Sequence, residues 1–454
     1  MTPPLFTNRA QFYRQFLRLA SINIVSNLMV PLASLIDIAF LGHLDDIRHL
    51  AGVAIATVLF NVLYWTFGFL RMGTTGTTAQ AVGRGDWDEV VVVGLRYGVM
   101  ALAIASGLLI LQSPLRTVGF TLLSATETVK TAGQAYYNAM IWGAPANLLG
   151  FVLLGWFLGR GQGSQVLVLS IVGNGSNVLL NYLLIVQMGW GSTGAGWATA
   201  ASQMALAIAG IGLVAIEVSV QQIRRIVPQI WNWQDLKTTL MLNGDIMVRT
   251  FALIMTFSLF TNLSSAIGTV VLASNTLMLQ LISFSAYFID GIAFATESYA
   301  GILQGKGQLA RLIPLLKLAG GISVGIGAMF ALSAIAVPGW LFGLLTSHSP
   351  VLNHVQTTVG WLLPVLGIGA IAYMLDGYFL GLTQGRILRN AALLSALVGF
   401  LPLALLAWYQ RSEQLLWLAL VGFMSARVIT LGSQVPKTLA PISLAPKSNT
   451  DDLS

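Results

Sequence analysis

The sequence contains no cysteine and few charged residues, and each shortage excludes a class of protein. Without cysteine there is no disulfide, no thiol nucleophile and no thiolate-bound metal. Charged residues make up only 9% of the chain, whereas apolar residues make up 56%. So small a polar fraction cannot cover the surface of a water-soluble globule of 454 residues. The composition therefore predicts an integral membrane protein that contacts the lipid bilayer over much of its surface.

The sequence also has few histidines and lacks the motif of a nucleotide-binding loop. The four histidines lie in or near predicted loops, namely His43, His49, His348 and His354. They do not form a metal-ligand pattern, so we expect no metal site and no cofactor. The glycine-rich turns near 83–87 and 159–163 lack the GxGxxG pattern and follow no strand, which excludes a phosphate-binding loop and an ATPase.

Long apolar runs dominate the chain. Each has about 20 or more residues, the length that crosses roughly 30 Å of hydrocarbon. The runs lie near residues 17–41, 50–79, 90–111, 134–158, 164–187, 193–217, 240–262, 269–302, 311–335, 355–382, 387–408 and 414–434. They predict an all-α polytopic membrane protein with twelve transmembrane helices. Because the first run is full length and no small-residue cleavage site follows it, we expect it to remain as a span and not to be a signal peptide.

An internal repeat relates the two halves of the chain. GWFLGRGQG at 155–163 recurs as GYFLGLTQG at 377–385, an offset of 222 residues, and the same offset places GRG at 83–85 on GKG at 305–307. Repeats of this kind are frequent in secondary transporters, whose binding cavity lies between the repeats. We predict two pseudo-symmetric six-helix lobes at 1–220 and 238–436, a cytoplasmic connector at 221–237, and a flexible cytoplasmic tail at 437–454.

The net charge of +7 is explained by membrane topology. If the N-terminus is cytoplasmic, most of the 23 Lys and Arg residues fall in cytoplasmic loops, as the positive-inside tendency requires. We therefore predict a multi-pass protein of the inner (plasma) membrane with both termini in the cytoplasm. The basic residues are spread over short loops and form no single patch, so we expect no nucleic-acid partner.

Four carboxylates lie deep inside predicted spans, at Asp37, Asp290, Glu297 and Asp376. A charge at this depth costs about 2.5–3.5 kcal/mol on insertion scales and usually marks a functional site. Asp37 follows Pro31 in the first span, and a proline removes one backbone hydrogen bond and lets a helix bend. A helix that bends and carries one protonatable group can act as an ion-coupled switch. The alternative is a protonated Asp37 that only joins two helices through a hydrogen bond.

Uncharged polar side chains occupy one face of the fifth and sixth spans. Spacings of three and four residues place them one helical turn apart. They are Asn174, Asn177 and Asn181 in the fifth span, and Thr199 and Gln203 in the sixth. Amides and hydroxyls can hydrogen-bond either protonation state of a carboxyl group, so this set can serve Asp37 or a drug-like ligand. The alternative is that these side chains only connect neighbouring helices.

The second lobe carries the other three carboxylates. Asp290 and Glu297 are seven residues apart and share a helix face, while Asp376 lies at the start of the repeated glycine motif. Their repeat counterparts are all uncharged, at Gly68, Thr75 and Leu154.

Two arginines inside the spans, Arg71 and Arg249, are natural partners for these acids. We expect both to form structural charge pairs. For Arg249 we expect the partner to be Asp245 or Asp290, and the alternative is a role in ion coupling.

Five motifs in order along the chain carry a resemblance to a known family. They are LIDIAFLGHL at 35–44, LRMGTTGTTAQA at 70–81, NGDIMVRT at 243–250, AYFIDGIAFATESYAG at 286–301 and MLDGYFLG at 374–381. With them the chain resembles the MATE (multidrug and toxic compound extrusion) family, in its DNA-damage-inducible F (DinF) branch. The resemblance implies a V-shaped bundle of two lobes that exports amphipathic, often cationic organic compounds in exchange for H⁺ or Na⁺.

The resemblance also implies roles for single residues. The family's coupling residues in the first, fifth and sixth helices fall on Asp37, Asn177 and Thr199. Its acids in the eighth and tenth helices fall on Asp290, Glu297 and Asp376. Members of the branch have an Asp where this chain has Asn181. With one carboxylate fewer, a single-proton mechanism is favoured over Na⁺ coordination at this site.

These observations together predict a monomeric, proton-driven antiporter with Na⁺ as the alternative ion, working by alternating access. Asp37, Asn174, Asn177, Asn181 and Gln203 are its predicted substrate-binding residues. One rival is a flippase of lipid-linked precursors, which would need a cationic cavity, whereas here the intramembrane acids offset the arginines. A remote rival is an intramembrane enzyme built on Asp290 and Asp376. We expect the protein not to be an enzyme.

Overall fold

The computed structural model describes residues 9–44 and 46–439, and all regular structure in that part of the chain is helical. It contains twelve helical segments long and apolar enough to cross a membrane, which confirms the predicted all-α membrane fold. Most of the predicted tail, from residue 440 onward, lies outside the described residues.

The described residues of the first half, 9–44 and 46–217, form nine α-helices. They are α1 (Arg9–Gly42), α2 (Arg48–Thr66), α3 (Phe69–Arg84), α4 (Trp87–Ile110), α5 (Gln112–Leu122), α6 (Glu127–Met140), α7 (Ala144–Gly159), α8 (Gly163–Asn181) and α9 (Gly191–Glu217). A 3₁₀ turn, Ile141–Gly143, joins α6 to α7, and a wider π-helical turn, Tyr182–Gln187, follows α8.

Helix α10 (Val220–Ile230) connects this half to the next. The second half comprises α11 (Trp233–Ile267), α12 (Thr269–Gly305), α13 (Leu312–Ala336), α14 (Pro338–Gly343), α15 (Ser349–Thr358), α16 (Leu362–Gly381), α17 (Gly385–Leu394), α18 (Leu401–Gln410), α19 (Glu413–Gly432) and α20 (Val435–Leu439). Turns of 3₁₀ helix, Leu309–Arg311 and Val359–Trp361, precede α13 and α16, and a π-helical turn, Ser395–Phe400, lies between α17 and α18.

The repeated glycines are the contact points between neighbouring helices. A Cβ atom added at Gly155 would lie 2.5 Å from the Arg71 carbonyl oxygen, and one at Gly377 would lie 2.3 Å from the Ala293 carbonyl oxygen. Arg71 and Ala293 are themselves 222 residues apart. The backbones of α7 and α3 therefore touch in the first half as those of α16 and α12 do in the second. Only glycine allows so close an approach, which is why the motif recurs.

The connector helix α10 is docked on the first half. Arg96 of α4 donates to the carbonyl oxygens of Gln229 and Ile230 at 3.2 and 3.4 Å, where α10 ends and its carbonyls lack helical partners. Arg225 pairs with Asp88 at 2.7 Å. The predicted connector, 221–237, corresponds to α10 and the first turns of α11. The division of the chain at these residues stays a prediction.

Candidate functional site

A cavity of about 340 Å³ lies inside the first half, among α1, α2, α6, α8 and α9. Its wall is partly apolar, with several polar side chains pointing inward. The polar lining residues are Ser34, Asp37, Thr57, Tyr136, Asn174, Asn177, Thr199, Ser202 and Gln203. The structure thus brings five of the residues singled out from the sequence to one cavity. Tyr136 also lines it, and the sequence analysis missed that residue.

Asp37 is joined to α8 and α9 by a chain of hydrogen bonds. Asn181 Nδ2 donates to Asp37 Oδ1 at 2.5 Å and lies 3.2 Å from Asn177 Oδ1. Asn177 Nδ2 donates in turn to Thr199 Oγ1 at 3.3 Å, and the Thr199 hydroxyl donates to the Ala195 carbonyl oxygen at 3.0 Å. Asn181 is 1% exposed and does not line the cavity, but it contacts the Asp37 carboxyl group that does.

The amide of Asn177 is sensitive to the protonation state of Asp37. One end of its amide group lies 3.0 and 3.2 Å from the two Asp37 carboxyl oxygens. With the oxygen at that end, the amide accepts the proton of a protonated Asp37. When Asp37 is ionised, a 180° rotation of the amide places Nδ2 at the same distances as a donor. Binding of one proton therefore changes the hydrogen bonds of two helices.

Helix α1 is held differently on the two sides of Pro31. Before the proline, Asn27 Nδ2 donates to the Tyr287 carbonyl oxygen of α12 at 3.3 Å, so this segment is tied to the second half. After the proline, Leu35 and Ile38 are 63% and 54% exposed, and Asp37 faces the cavity. The helix is continuous through Pro31. The missing backbone hydrogen bond thus lies between a segment that contacts the second half and a segment whose Asp37 contacts α8.

The second half contains a buried carboxylate shared by two arginines. Asp376 of α16 accepts hydrogen bonds from Arg249 of α11 and from Arg427 of α19. Their side chains are 5%, 9% and 1% exposed, respectively, so the group is enclosed. Arg427 was not among the predicted site residues. A lone arginine inside an apolar span was the signal available for it.

The predicted partners of Arg249 were wrong. Its ion pair is with Asp376, because residue 249 faces α16. Asp245, one turn earlier on α11, faces α17 and pairs with Arg389 at 2.6 Å. Asp290 has no basic side chain within ion-pair distance among the described residues.

Arg71 and Glu297 meet at the interface of the two halves. Arg71 Nη1 lies 3.8 Å from Glu297 Oε2, and the guanidinium group stacks 3.9 Å from the centre of the Phe294 ring. Glu297 is fully buried, and neither carboxyl oxygen has a hydrogen-bond partner in the part of the chain that the structure describes. The pair lies within the contact between α3 and α12.

A larger cavity, of about 900 Å³, is lined by residues of α11, α12 and α16 in the second half and by Trp65 of α2 in the first. Asp290 and Tyr373 line it. The remaining polar lining residues are Thr250, Ser258, Thr261, Asn262, Ser265 and Ser283. The sequence analysis missed this cavity as a binding space. Four of these residues follow the helical spacing 258, 261, 262, 265 on α11, which was a usable signal.

Comparison with known proteins places this geometry in a family. Residues 23–183 match the MatE family. The chain is 30% identical over 413 residues to DNA damage-inducible protein F of Escherichia coli, covering 90% of this chain and 89% of that protein.

Two solved structures share the fold. An outward-facing multidrug resistance MATE family transporter of the MOP superfamily superposes with a TM-score of 0.84 at 17% identity, over 94% of this chain and 96% of that one. The Vibrio cholerae MATE transporter VcmN in the bent form superposes with a TM-score of 0.82 at 22% identity, over 95% of this chain and 97% of that one. The chain belongs to the MATE family of membrane transporters, in its DinF branch.

Proposed function

We propose that the protein exports amphipathic organic cations from the cell in exchange for protons, by alternating access between its two six-helix halves. The observation that carries the proposal is the contact of Asp37 with Asn177 and Asn181 at the wall of a cavity, on a helix that contains Pro31. Multidrug export is the activity named for the MATE structure that shares this fold.

The composition of the site favours a proton over Na⁺. Asp37 is the one carboxylate in the lining of the first cavity, and its polar neighbours on α8 and α9 are amides and hydroxyls. A bound Na⁺ would gain only one anionic ligand here. A proton needs no coordination shell, and the Asn177 amide, 3.0 Å from the carboxyl group, can bond its protonated or its ionised form.

Proton binding can drive transport only if the two states of the transporter bind the proton differently. A protonated Asp37 donates to Asn177, whereas an ionised Asp37 requires the rotated amide. The segment of α1 after Pro31 carries Asp37 into or away from the cavity, while the Asn27 contact with α12 holds the segment before it. Movement of the segment after Pro31 changes the cavity volume, and the substrate is released.

The charges of both cavities favour a cationic substrate. Each lining includes one acid, Asp37 in the first half and Asp290 in the second, and neither includes Lys, Arg or His. The remaining walls are apolar with scattered hydroxyls and amides, which suits an amphipathic molecule. The same absence of basic lining residues disfavours the anionic headgroup of a lipid-linked precursor.

The basic loops support an orientation with both termini in the cytoplasm. In that orientation the end of the bundle where Gly83 meets Gly305 faces the cytoplasm. The two halves are in backbone contact there, which supports a state closed to the cytoplasm.

Substrate-dependent proton movement in liposomes tests the proposal. The purified protein is reconstituted with a pH-sensitive dye inside, and rhodamine 6G is added in Na⁺-free medium. We expect the dye fluorescence to change when rhodamine 6G is added to the wild-type protein and to stay constant with Asp37→Asn, because the introduced amide side chain cannot bind a proton. Ser34→Ala, a change at the same cavity wall, is the matched control and should retain the signal. Equal proton movement by Asp37→Asn and wild type would refute the proposal.

A further inference from the structure

The two halves touch at one end through paired backbone contacts. A Cβ atom added at Gly83 would lie 2.3 Å from the Ile302 carbonyl oxygen, and one at Gly305 would lie 2.2 Å from the Gln80 carbonyl oxygen. Both pairs are related by the 222-residue offset. The local two-fold axis between the halves therefore passes between Gly83 and Gly305.

One side chain breaks this symmetry. Gln80 Nε2 lies 3.1 Å from the Gly381 carbonyl oxygen, 3.0 Å from Thr383 Oγ1 and 3.1 Å from Gln304 Oε1. All three acceptors belong to the opposite half. The repeat counterpart of Gln80 is Ile302, which cannot form such bonds.

Thr383 has an unusual backbone conformation. Its φ is 53°, in the left-handed region, where a β-branched residue is strongly disfavoured. Its repeat counterpart is Gly161, with φ 68°. The two turns are closed by the same hydrogen bond, from Thr383 N to Leu380 O at 2.9 Å and from Gly161 N to Leu158 O at 2.8 Å. Glycine would suit both positions.

The strain at Thr383 is the same in any arrangement of the halves, because the turn lies within one of them. Separation of the halves at this end must break the bond to Gln80, because Gln80 and Thr383 lie in opposite halves. Contacts made in one state alone are those that shift an equilibrium between states. The hydroxyl of Thr383 therefore offsets its backbone strain only in the closed state.

We infer that Gln80 and Thr383 form a latch that holds the two halves closed at this end and sets the balance between the transporter's two states. Both are positioning residues that touch neither the proton site nor the cavities. The inference rests on the proposed alternating access, and it adds which residues control the equilibrium.

Distance measurements between the halves test the latch. The chain has no cysteine, so spin labels can be attached at Arg84→Cys and Ala310→Cys, both exposed at this end, in the full-length protein in lipid nanodiscs. Thr383→Val keeps the branched shape and removes the acceptor. We expect it to raise the ratio of open to closed distances about three- to fivefold, in the lower half of the range for one hydrogen bond, because the two hydrogens of the Gln80 amide are shared among three acceptors. Thr383→Ser, which keeps the hydroxyl, should stay within about twofold of wild type by the same measure.

Thermal stability separates a latch from a merely structural role. Thr383→Gly relieves the backbone strain, so we expect a higher melting temperature together with more of the open state. The matched control is Gly161→Thr, which introduces the strain without a partner across the interface. It should lower the melting temperature and leave the distances unchanged. A purely structural Thr383 would instead lose stability when replaced by glycine, and that result would overturn the latch.

A steric wedge distinguishes failure of the latch from failure of the proposed function. Gly83→Ala should force the halves apart, because its Cβ would clash with the Ile302 carbonyl oxygen. If Gly83→Ala opens this end and Thr383→Val does not, the latch is refuted and alternating access stands. The two-state premise of the proposed function is refuted if the spin labels show one and the same distance in wild type, in Gly83→Ala and at every pH tested.

Discussion

The carboxylate of Asp376 allows a test of how charge is balanced inside this membrane protein. It accepts hydrogen bonds from Arg249 and Arg427, and all three side chains are less than one-tenth exposed. Replacing Arg427 leaves one balanced ion pair. Replacing Asp376 leaves two positive charges facing each other in an apolar interior. We therefore predict that Asp376→Asn is much more harmful to stability than Arg427→Met.

The expected magnitudes follow from the number of charges left without a partner. Removing one partner from a buried ion pair costs about 3–5 kcal/mol, which we expect for Asp376→Asn. Arg427→Met removes one hydrogen bond to a charged group, at about 1.5–3 kcal/mol. The double variant Asp376→Asn, Arg427→Met retains a single unpaired charge. It should be more stable than Asp376→Asn alone by at least about 1 kcal/mol, a non-additive effect expected for groups in contact.

Equilibrium unfolding in mixed micelles, with increasing SDS and tryptophan fluorescence as the signal, measures these differences. The control is Asp46→Asn, which breaks the exposed pair of Asp46 and Arg48, at 48% and 53% exposure. That change should cost less than about 1 kcal/mol. A double variant no more stable than Asp376→Asn would refute the charge-balance argument.

Three further predictions concern the cavities and the glycine framework. Asn181→Asp places a second carboxyl group beside Asp37, where the amide now lies at 2.5 Å, so export should become dependent on Na⁺ when transport is compared in Na⁺-free and Na⁺-containing media. Asp290→Asn removes the one acid lining the larger cavity and should weaken binding of rhodamine 6G, measured by fluorescence polarisation, while an uncharged analogue binds as before. Gly381→Ala would place a Cβ 2.1 Å from the Glu297 carbonyl oxygen and should destabilise by about 1–3 kcal/mol in the SDS assay. Its control on the same helix is Gly367→Ala, which meets no atom within 4 Å and should be neutral or slightly stabilising.

The spans and the glycine contacts were predictable because each is encoded in a short stretch of sequence. The length of an apolar run fixes a transmembrane helix, and the repeated glycines at 155 and 377 mark where a neighbouring backbone must approach. The grouping of Asn177 with Asn181 was predictable for the same reason, since helical spacing alone puts them on one face.

The partners across helices were not predictable in this way. The bond of Asp376 to Arg427 joins residues 51 positions apart on different helices, and nothing local says which face of α19 meets α16. Several acids were available to Arg249, and the rotation of α11 decided between them. The π-helical turn Tyr182–Gln187 was also missed, because the extra residue per turn is accommodated by packing and leaves no periodic signature.

The divergence of the two halves is concentrated where they meet. Arg71 contacts Glu297 across the interface, yet the repeat counterparts of these two residues are Ala293 and Thr75, which cannot form an ion pair. The glycine contacts on either side of this pair are retained in both halves. The close backbone contacts therefore need glycines in both copies of the repeat. The polar groups of a single copy are enough to favour the closed interface. A symmetric pair of latches or ion pairs would hold the halves closed about twice as strongly and oppose the rearrangement that transport requires. Under the proposed mechanism, a single-sided set of bonds keeps the two states close enough in free energy for one proton at Asp37 to shift the balance.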